Sequence, residues 1–407
     1  MNNYLLVINA GSSSIKFSIY QKAILSSLRL DATGQIDGIG SHAHFVVKDA
    51  QGQVLSDCPL SAEQANNHAD AIIIIRSWLL EYIKGGILLA VGHRVVHGGQ
   101  HYFTPILIDE NILIDLENLI PLAPLHQPHN LAAMRALLEI MPTLPQVACF
   151  DTAFHRTQPD IAQHFALPRH ITDAGVRRYG FHGLSYEYIV SILPDLDTSL
   201  VKARIIVAHL GNGASLCAIQ SGRSIATTMG FSPLDGLIMG TRCGSLDPGV
   251  LLYLTNHYNM DAHALEQLLY YQSGLLGVSG ISNDMHTLLD SDDPQAKEAV
   301  DLFVYRAGRE IGSLVAALGG LDALIFTGGM GENSAKIRAK ICHQAEWLGL
   351  KLDASANEAG ALCISMSSSN LSAWVVNTDE NMMIALHTLQ QISDDFDILP
   401  HLKEGDS

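Results

Sequence analysis

The sequence predicts an α/β protein of two domains built on mixed sheets, and three observations carry that prediction. Segments of helical and of strand period alternate along the chain, the pattern of helices packed on sheets. The chain has 407 residues, more than one core ordinarily organises, since domains run to roughly 100–200 residues. LLVINAGSSSIKFSI and IIVAHLGNGASLCAI share a layout of apolar strand, small polar turn and second apolar strand, with Val7 to Gly11 spaced like Val207 to Gly211. The match is either coincidence or the mark of two related domains, each presenting a hairpin turn to a shared cleft.

In chain order, the stretch to about residue 60 reads as short β runs, YLLVINA, IKFSIY and HFVVKD, separated by Gly, Asp and Ser. SAEQANNHADAIIIIRSWLLEYI is helical, ILLAVGHRVVHGG is an apolar strand, LAAMRALLEI has helical spacing and QVACFDTAF reads as a buried strand. ARIIVAHLGNGASLCAIQSG is again strand, turn, strand. AKEAVDLFVYRAGREIGSLVAALGG is a long amphipathic helix ended by two glycines, and DALIFTGGMGEN follows as a strand running into a glycine turn.

A hydrophobic fraction of 48% with 16% charged residues describes a well-buried globular protein. The net charge of −17 and the lack of a Lys/Arg run argue against nucleic acid. No segment reaches the ~18 consecutive apolar residues of a membrane helix; AIIIIRSWLL and GGILLAVGH are broken by Arg76 and by Gly92 and His93. The start, MNNYLLVINAG, has no basic region and too short an apolar run for a secretion signal. Cys58, Cys149, Cys217, Cys243, Cys342 and Cys363 form no C-x-x-C pair. That argues against a disulfide framework or zinc ribbon and for a reducing cytoplasm.

Several motifs carry chemistry. AGSSS is either a plain hairpin turn or a loop whose N–H groups and hydroxyls hold a phosphate, with Lys16 beside it. FTGGMGENS is an ordinary strand-to-helix turn or a place where backbone approaches an anion or nucleotide; it has neither G-x-G-x-x-G nor P-loop spacing. HLGNGAS offers His209 and Asn212 as donors, although Asn-Gly is also a preferred hairpin loop.

Strand alternation in GHRVVHGG puts Arg94 and Val96 on one face and His93, Val95 and His97 on the other. An arginine fork with an apolar wall roughly 7 Å away is half a pocket for a short carboxylate; the alternative is a surface arginine on an edge strand. His93 and His97 stand too far apart on a strand to share a metal easily. Asp151 follows a buried run, where α/β proteins present catalytic groups, or else caps a helix. His182 in RRYGFHGLS and Arg242 in MGTRCGSLDPG sit among small residues. Taken together, these are the parts of a phosphoryl-transfer site: glycine turns for phosphates, cationic groups for developing charge and carboxylates for a metal. HAHF near residue 42 reads as solvated loop histidines.

With VINAGSSSIKF, GHRVVHGG, PLAPLHQPHN, FDTAFH, RRYGFHGLS, VAHLGNGAS, TTMGFSPLDGLIMGTRCGSLDPG, SGLLGVSG and FTGGMGENS in this order, the chain resembles the acetate kinase (acetokinase) family across nearly its whole length. The resemblance implies a duplicated actin-like, sugar-kinase-like (ribonuclease H-like) fold with two domains around an active-site cleft. It places 1–150 with 382–407 in an N-terminal domain completed by the C-terminal helix, and 151–381 in a second, nucleotide-binding and dimerising domain. It implies reversible, ATP-dependent phosphorylation of acetate to acetyl phosphate with Mg²⁺, or Mn²⁺ in its place, by a cytoplasmic homodimer.

By motif position, Asn9 and Glu380 resemble the magnesium pair, and Lys16 the phosphate-side lysine. Arg94 resembles the carboxylate-binding arginine, with Val96, Leu125, Phe181 and Pro233 around the methyl group and His126 in the pocket. Asp151 matches the catalytic aspartate, and His182 and Arg242 the transition-state stabilisers. His209, Leu210, Gly211, Asn212 and Gly213, then Asp284, Met285 and His286, then Gly329, Met330, Gly331, Glu332 and Asn333, match the ATP-binding segments.

This sequence departs from the family's pattern at His286, where arginine is usual; at Leu184 and Tyr186, for Thr and His; at Gln127, for Asn; at Ser245, for an acid; and at Asn381, for a second glutamate. A substrate carboxylate is ionised at pH 7 and needs no general base, so Asp151 is expected to orient Arg94 or a metal's water shell. Val96 is bulkier than the alanine typical of propionate kinases, which favours acetate. The competing readings are a propionate or butyrate kinase and a nucleotide-dependent actin-like module without group transfer.

Overall fold

The structure is a computed structural model and describes residues 2–23 and 27–393. Its contacts divide into two compact units, one running to Ala153 and resuming at Asp379, the other spanning Phe154–Thr378.

The first unit carries β1 (Asn3–Ala10), β2 (Ser14–Lys22), β3 (Leu28–Asp37), β4 (His44–Asp49), β5 (Val54–Pro59), β6 (Ile87–Val95), β7 (Ile106–Leu107) and β8 (Gln146–Phe150), in the sheet order β5-β4-β3-β2-β1-β6-β8-β7. The second carries β9 (Arg204–Leu210), β10 (Ala214–Gln220), β11 (Arg223–Thr227), β12 (Ala323–Thr327) and β13 (Ser372–Val375), in the order β11-β10-β9-β12-β13.

The repeat seen in the sequence is a repeat of topology. In each unit a hairpin, β1/β2 or β9/β10, is extended antiparallel by a third strand, while its first strand pairs in parallel with a later one, β6 or β12. A further parallel strand, β8 or β13, then follows. This is the duplicated actin-like arrangement.

The central strands are buried on both faces, as parallel strands covered by helices must be. In the first unit the helices His68–Tyr82 and Gln127–Ile140 cover one face, joining Ile72, Ile75, Leu79, Ala133 and Leu137 to Leu6, Ile8, Ile15 and Phe17. The helix Glu380–Gln391 packs on β1, β6 and β8. Its approach needs Gly92, because a Cβ there would stand 2.2 Å from Thr388 Oγ1 and 2.7 Å from Ile384 Cγ2. In the second unit the helix Gly183–Leu196 lays Tyr186, Ile189, Val190 and Leu193 on Ile205, Val207, Cys217 and Ile325. The helix Pro294–Leu318 packs on β9, β10 and β11. Asp293 caps it and Gly319 ends it at φ 69°, as the pattern of Pro near its start and glycine past its end predicts.

Three local expectations shift. The helix expected from residue 61 begins at His68, where Asn67 caps it by accepting from the Asp70 N–H. The glycine turn after β12 is itself a short helix, Gly328–Asn333. Asp151, expected to open the second domain, belongs to the first unit because its N–H donates to Val95 O at 3.0 Å, continuing the β6/β8 edge. Asp379, Glu380 and Asn381 also lie there, since Asp379 caps the terminal helix. Residues 394–407 of the expected C-terminal segment lie outside the described residues.

Candidate active site

β1, β6 and β8 run parallel and adjacent, so their carboxyl ends share one edge of the sheet, the edge at which open α/β sheets bind ligands. Asn9, Arg94 and Asp151 sit there. Arg94 donates side-on to Asp151, Nε to Oδ1 at 3.1 Å and Nη2 to Oδ2 at 2.6 Å. Its Nη1 donates to Asn9 Oδ1 at 3.5 Å, and Glu380 Oε2 lies 3.7 Å from Nε. The Asp151 side chain is 1% exposed and that of Arg94 27%. Burial alone would lower the Arg94 pKa, but the carboxylates of Asp151 and Glu380 outweigh it and hold the guanidinium above its ordinary value.

Val96, just past β6, is buried, and its N–H donates to Asn130 Oδ1 at 3.1 Å. Asn130 Nδ2 in turn donates to Ala10 O at 2.7 Å, tying the ends of β1 and β6 together. Leu125 and His126 are partly buried, with His126 at the N-terminus of the helix Gln127–Ile140. Lys16 is exposed on β2, directly across the ladder from Asn9. His93 and His97 are buried, and burial pushes both down to about 4, so they are neutral. His93 Nε2 bonds Gln146 Oε1 at 2.8 Å, and His97 Nδ1 accepts from Gly99 N at 2.9 Å.

In the second unit His182 adopts the left-handed conformation, φ 58° and ψ 24°, which costs a non-glycine residue about 1–3 kcal/mol and marks an over-determined position. Its Nδ1 lies 2.8 Å from Ser215 Oγ, which also bonds Tyr186 OH. The ring stacks on His209, centroids 4.3 Å apart, and His209 Nδ1 is 2.8 Å from Ser185 Oγ. A Cβ on Gly213 would stand 3.1 Å from His182 Nε2 and 3.7 Å from Arg242 Nη1, so the HLGNG turn lies against both groups. Arg242 is half-buried, its Nη1 donating to Pro233 O at 3.2 Å. Phe181 and Pro233 are buried.

Beside this cluster lies a cavity of 390 Å³ lined by Gly211, Asn212, Gly240, Asn283, Asp284, Met285, His286, Gly329, Met330 and Asn333 among others. Four glycine-bearing or turn segments far apart in sequence thus form one pocket, large enough for a nucleotide moiety. His286 is mostly exposed and pairs with Asp290 Oδ2 at 3.3 Å.

Of the residues matched to the ATP-binding segments, Leu210, Gly331 and Glu332 are not in the lining of this cavity, nor are His209 and Gly213, which lie against His182. Leu210 is buried. Gly331 packs against Phe326 and Ala208. Glu332 turns inward, where Oε1 accepts from the N–H groups of Gly328 at 2.9 Å and Thr378 at 3.1 Å. A carboxylate so occupied braces the turn after β12. The sequence does not single out Asn130, Ser185 or Ser215, and it marks Tyr186 only as a departure from the family's pattern; all four lie inside or beside the quoted motifs, but nothing in their spacing announces their bonds.

The chain matches the model of the acetokinase family over residues 4–386. It is 53% identical over 391 residues to the acetate kinase of Rhodopseudomonas palustris strain CGA009, covering 95% of this chain and 98% of that one. It is 50% identical over 389 residues to that of Rhizobium meliloti, covering 96% and 98%. The crystal structure of Porphyromonas gingivalis acetate kinase is similar at TM-score 0.86 and 36% identity, covering 96% of this chain and 100% of that one. A propionate kinase from Francisella tularensis is similar at 0.88 and 36%, covering 95% and 99%. With a fold, a motif order and relatives that agree over almost its full length, the chain belongs to the acetokinase family.

Proposed function

We propose that this chain transfers the γ-phosphoryl group of ATP to acetate, reversibly, giving acetyl phosphate and ADP. The observation that carries the reading is the side-on pairing of Asp151 with Arg94. Both carboxylate oxygens are engaged, so Asp151 is a poor proton acceptor for a substrate hydroxyl and a good brace for a cation. An acceptor that arrives ionised needs no base, and acetate is such an acceptor. Arg94 binds its carboxylate, with Val96, Leu125 and His126 of the same unit as the pocket residues beside it; Phe181 and Pro233 keep the methyl-side role that their motif positions imply. One acetate oxygen attacks the γ-phosphorus, the bond to the β–γ bridging oxygen breaks, and ADP leaves with that electron pair; no proton moves. His182 and Arg242 stabilise the charge that spreads over the transferring oxygens. Lys16 serves the phosphates, and the 390 Å³ cavity takes the nucleotide.

Asn9 and Glu380 supply an amide and a carboxylate oxygen, both against the Arg94 guanidinium. That hard-oxygen set fits Mg²⁺, which keeps few protein ligands and shares its shell with phosphates and water. When bound, the ion neutralises β- and γ-phosphate charge. A hydroxamate assay with ATP, Mg²⁺ and acetate tests the reaction; nucleotide binding without product would favour an actin-like module.

Acetate and propionate differ by one methylene, worth ~1–3 kcal/mol in an apolar pocket. Val96→Ala is expected to raise propionate kcat/KM relative to acetate by roughly tenfold. A ratio unchanged across an acid-chain-length series removes Val96 from the pocket.

We propose that the chain forms a homodimer through the second unit. Its helices Pro248–Tyr258 and Ala262–Tyr271 bury none of their residues, and Leu252, Tyr253 and Tyr258 are 66%, 51% and 64% exposed. Large apolar side chains left exposed in this number on one stretch of chain suit an interface. Sedimentation velocity at micromolar concentration is expected to give twice the chain mass of 44.0 kDa; a single species of chain mass removes the dimer. Among the described residues no helix is long and apolar enough to cross a membrane, and the cytoplasm is the compartment proposed.

A further inference from the structure

The left-handed backbone of His182 is set by the peptide that precedes it, and that peptide's carbonyl, Phe181 O, accepts from His155 Nε2 at 2.9 Å. His155 lies in the 3-10 turn Ala153–Thr157 and is fully buried. It touches none of the groups assigned to acetate, nucleotide or metal except through that bond. We infer that His155 is a positioning residue, holding the Phe181–His182 peptide so that His182 faces the Gly213 and Arg242 side of its site. The inference rests on the reading of His182 as a stabiliser of the transferring phosphoryl group.

The partners around the ring admit one tautomer. A carbonyl oxygen only accepts, so Nε2 carries a proton. Burial pushes the His155 pKa down to about 4, so at neutral pH the ring is uncharged and Nδ1 is an acceptor. Nδ1 has Ser224 Oγ as its nearest donor, at 2.9 Å, and Gln158 Nε2 at 3.5 Å, while Gln158 Nε2 also donates to Ser224 Oγ at 3.0 Å. Gln158 and Ser224 thereby fix the tautomer that points a proton at Phe181 O. The loop has also been built to reach the ring. Gly180 has φ 75°, and a Cβ on it would stand 2.5 Å from His155 Cδ2. The N–H groups of Tyr179 and Gly180 both donate to Gly230 O, at 3.0 and 3.2 Å. A bulkier residue at 180 would lift the loop from its anchor.

The test compares His155→Leu, which removes the donor, with His155→Gln, whose Nε2–H can reach the same carbonyl. His155→Leu is expected to lower kcat about 10- to 100-fold, the order expected when a catalytic group is displaced by up to an ångström, with KM for ATP and acetate within about threefold. His155→Gln restores kcat to within about fivefold of wild type although it too loses the Ser224 bond. In a His182→Ala background, His155→Leu adds no further kcat loss. Equal kcat for the Leu and Gln variants at matched folded fraction, or additive losses in the double variant, overturns the inference.

Should His155→Leu fail to fold, Ser224→Ala, which releases the tautomer, is expected to lower kcat about three- to tenfold at unchanged KM; an unchanged kcat in that folded protein overturns it equally. His182→Ala at wild-type kcat instead overturns the stabiliser reading, and a large loss there with none in His155→Leu overturns the positioning alone.

Discussion

Arg242→Ala is expected to lower kcat by roughly 10³-fold or more, with a smaller effect on the KM for acetate. The arginine is half-buried and held at its tip by Pro233 O, and the Gly213 turn lies against both its Nη1 and the His182 Nε2. On the proposed reading Arg94 carries the ground-state carboxylate, and Arg242 acts as charge spreads over the equatorial oxygens of the transferring group, where a preorganised donor stabilises without reorganising. Single-turnover kinetics with saturating ATP separates the chemical step from product release. A kcat within a few-fold of wild type would remove Arg242 from the reaction.

Asp151→Ala is expected to be costly twice over. The Asp151 carboxylate is almost wholly buried and meets Arg94 through two bonds, one of them 2.6 Å. Removing one partner of a buried pair leaves an uncompensated charge and costs ~3–5 kcal/mol. The partial exposure of Arg94 and the nearby Glu380 put the loss near the lower end, about 3 kcal/mol. The same change lets the guanidinium swing, so the acetate KM rises and acetate kcat/KM falls at least tenfold, by the cost of a misplaced binding group. Denaturant unfolding and steady-state kinetics read the two effects. If stability holds while kcat alone collapses and the acetate KM is unmoved, Asp151 is acting on the reacting atoms and not as the brace of Arg94.

The hairpins were legible because each is a local event. Apolar alternation on either side of AGSSS and of HLGNGAS specifies two strands and a turn within some fifteen residues, and β1/β2 and β9/β10 form there. The long helix Pro294–Leu318 was legible for the same reason, with its apolar stripe, its Asp cap and its terminal glycine all in one window. GGMGEN has the composition of a turn, since glycine disfavours helix. It folds as a helical turn because Glu332 bonds the Gly328 N–H four residues back and the Thr378 N–H from another segment, a contact that no local pattern announces.

The α/β class, the two strand–turn–strand segments, the motif order and hence the family are determined by the sequence alone, since periodicity, caps and turn residues act over a few positions; that the two segments are a repeat of topology is decided by the sheet order. Tertiary structure alone decides which polar groups meet. Asp151 reaches Arg94, 57 positions away, only because β6 and β8 are neighbouring parallel strands in register. Asn130 joins Ala10 to Val96, and Glu332 turns inward to accept from the Gly328 and Thr378 N–H groups. His155 finds the carbonyl before His182. These pairings follow from strand order and from helices settling on both faces of a sheet, where burial makes every polar atom take the partner within reach, and sequence distance places no bound on which partner that is.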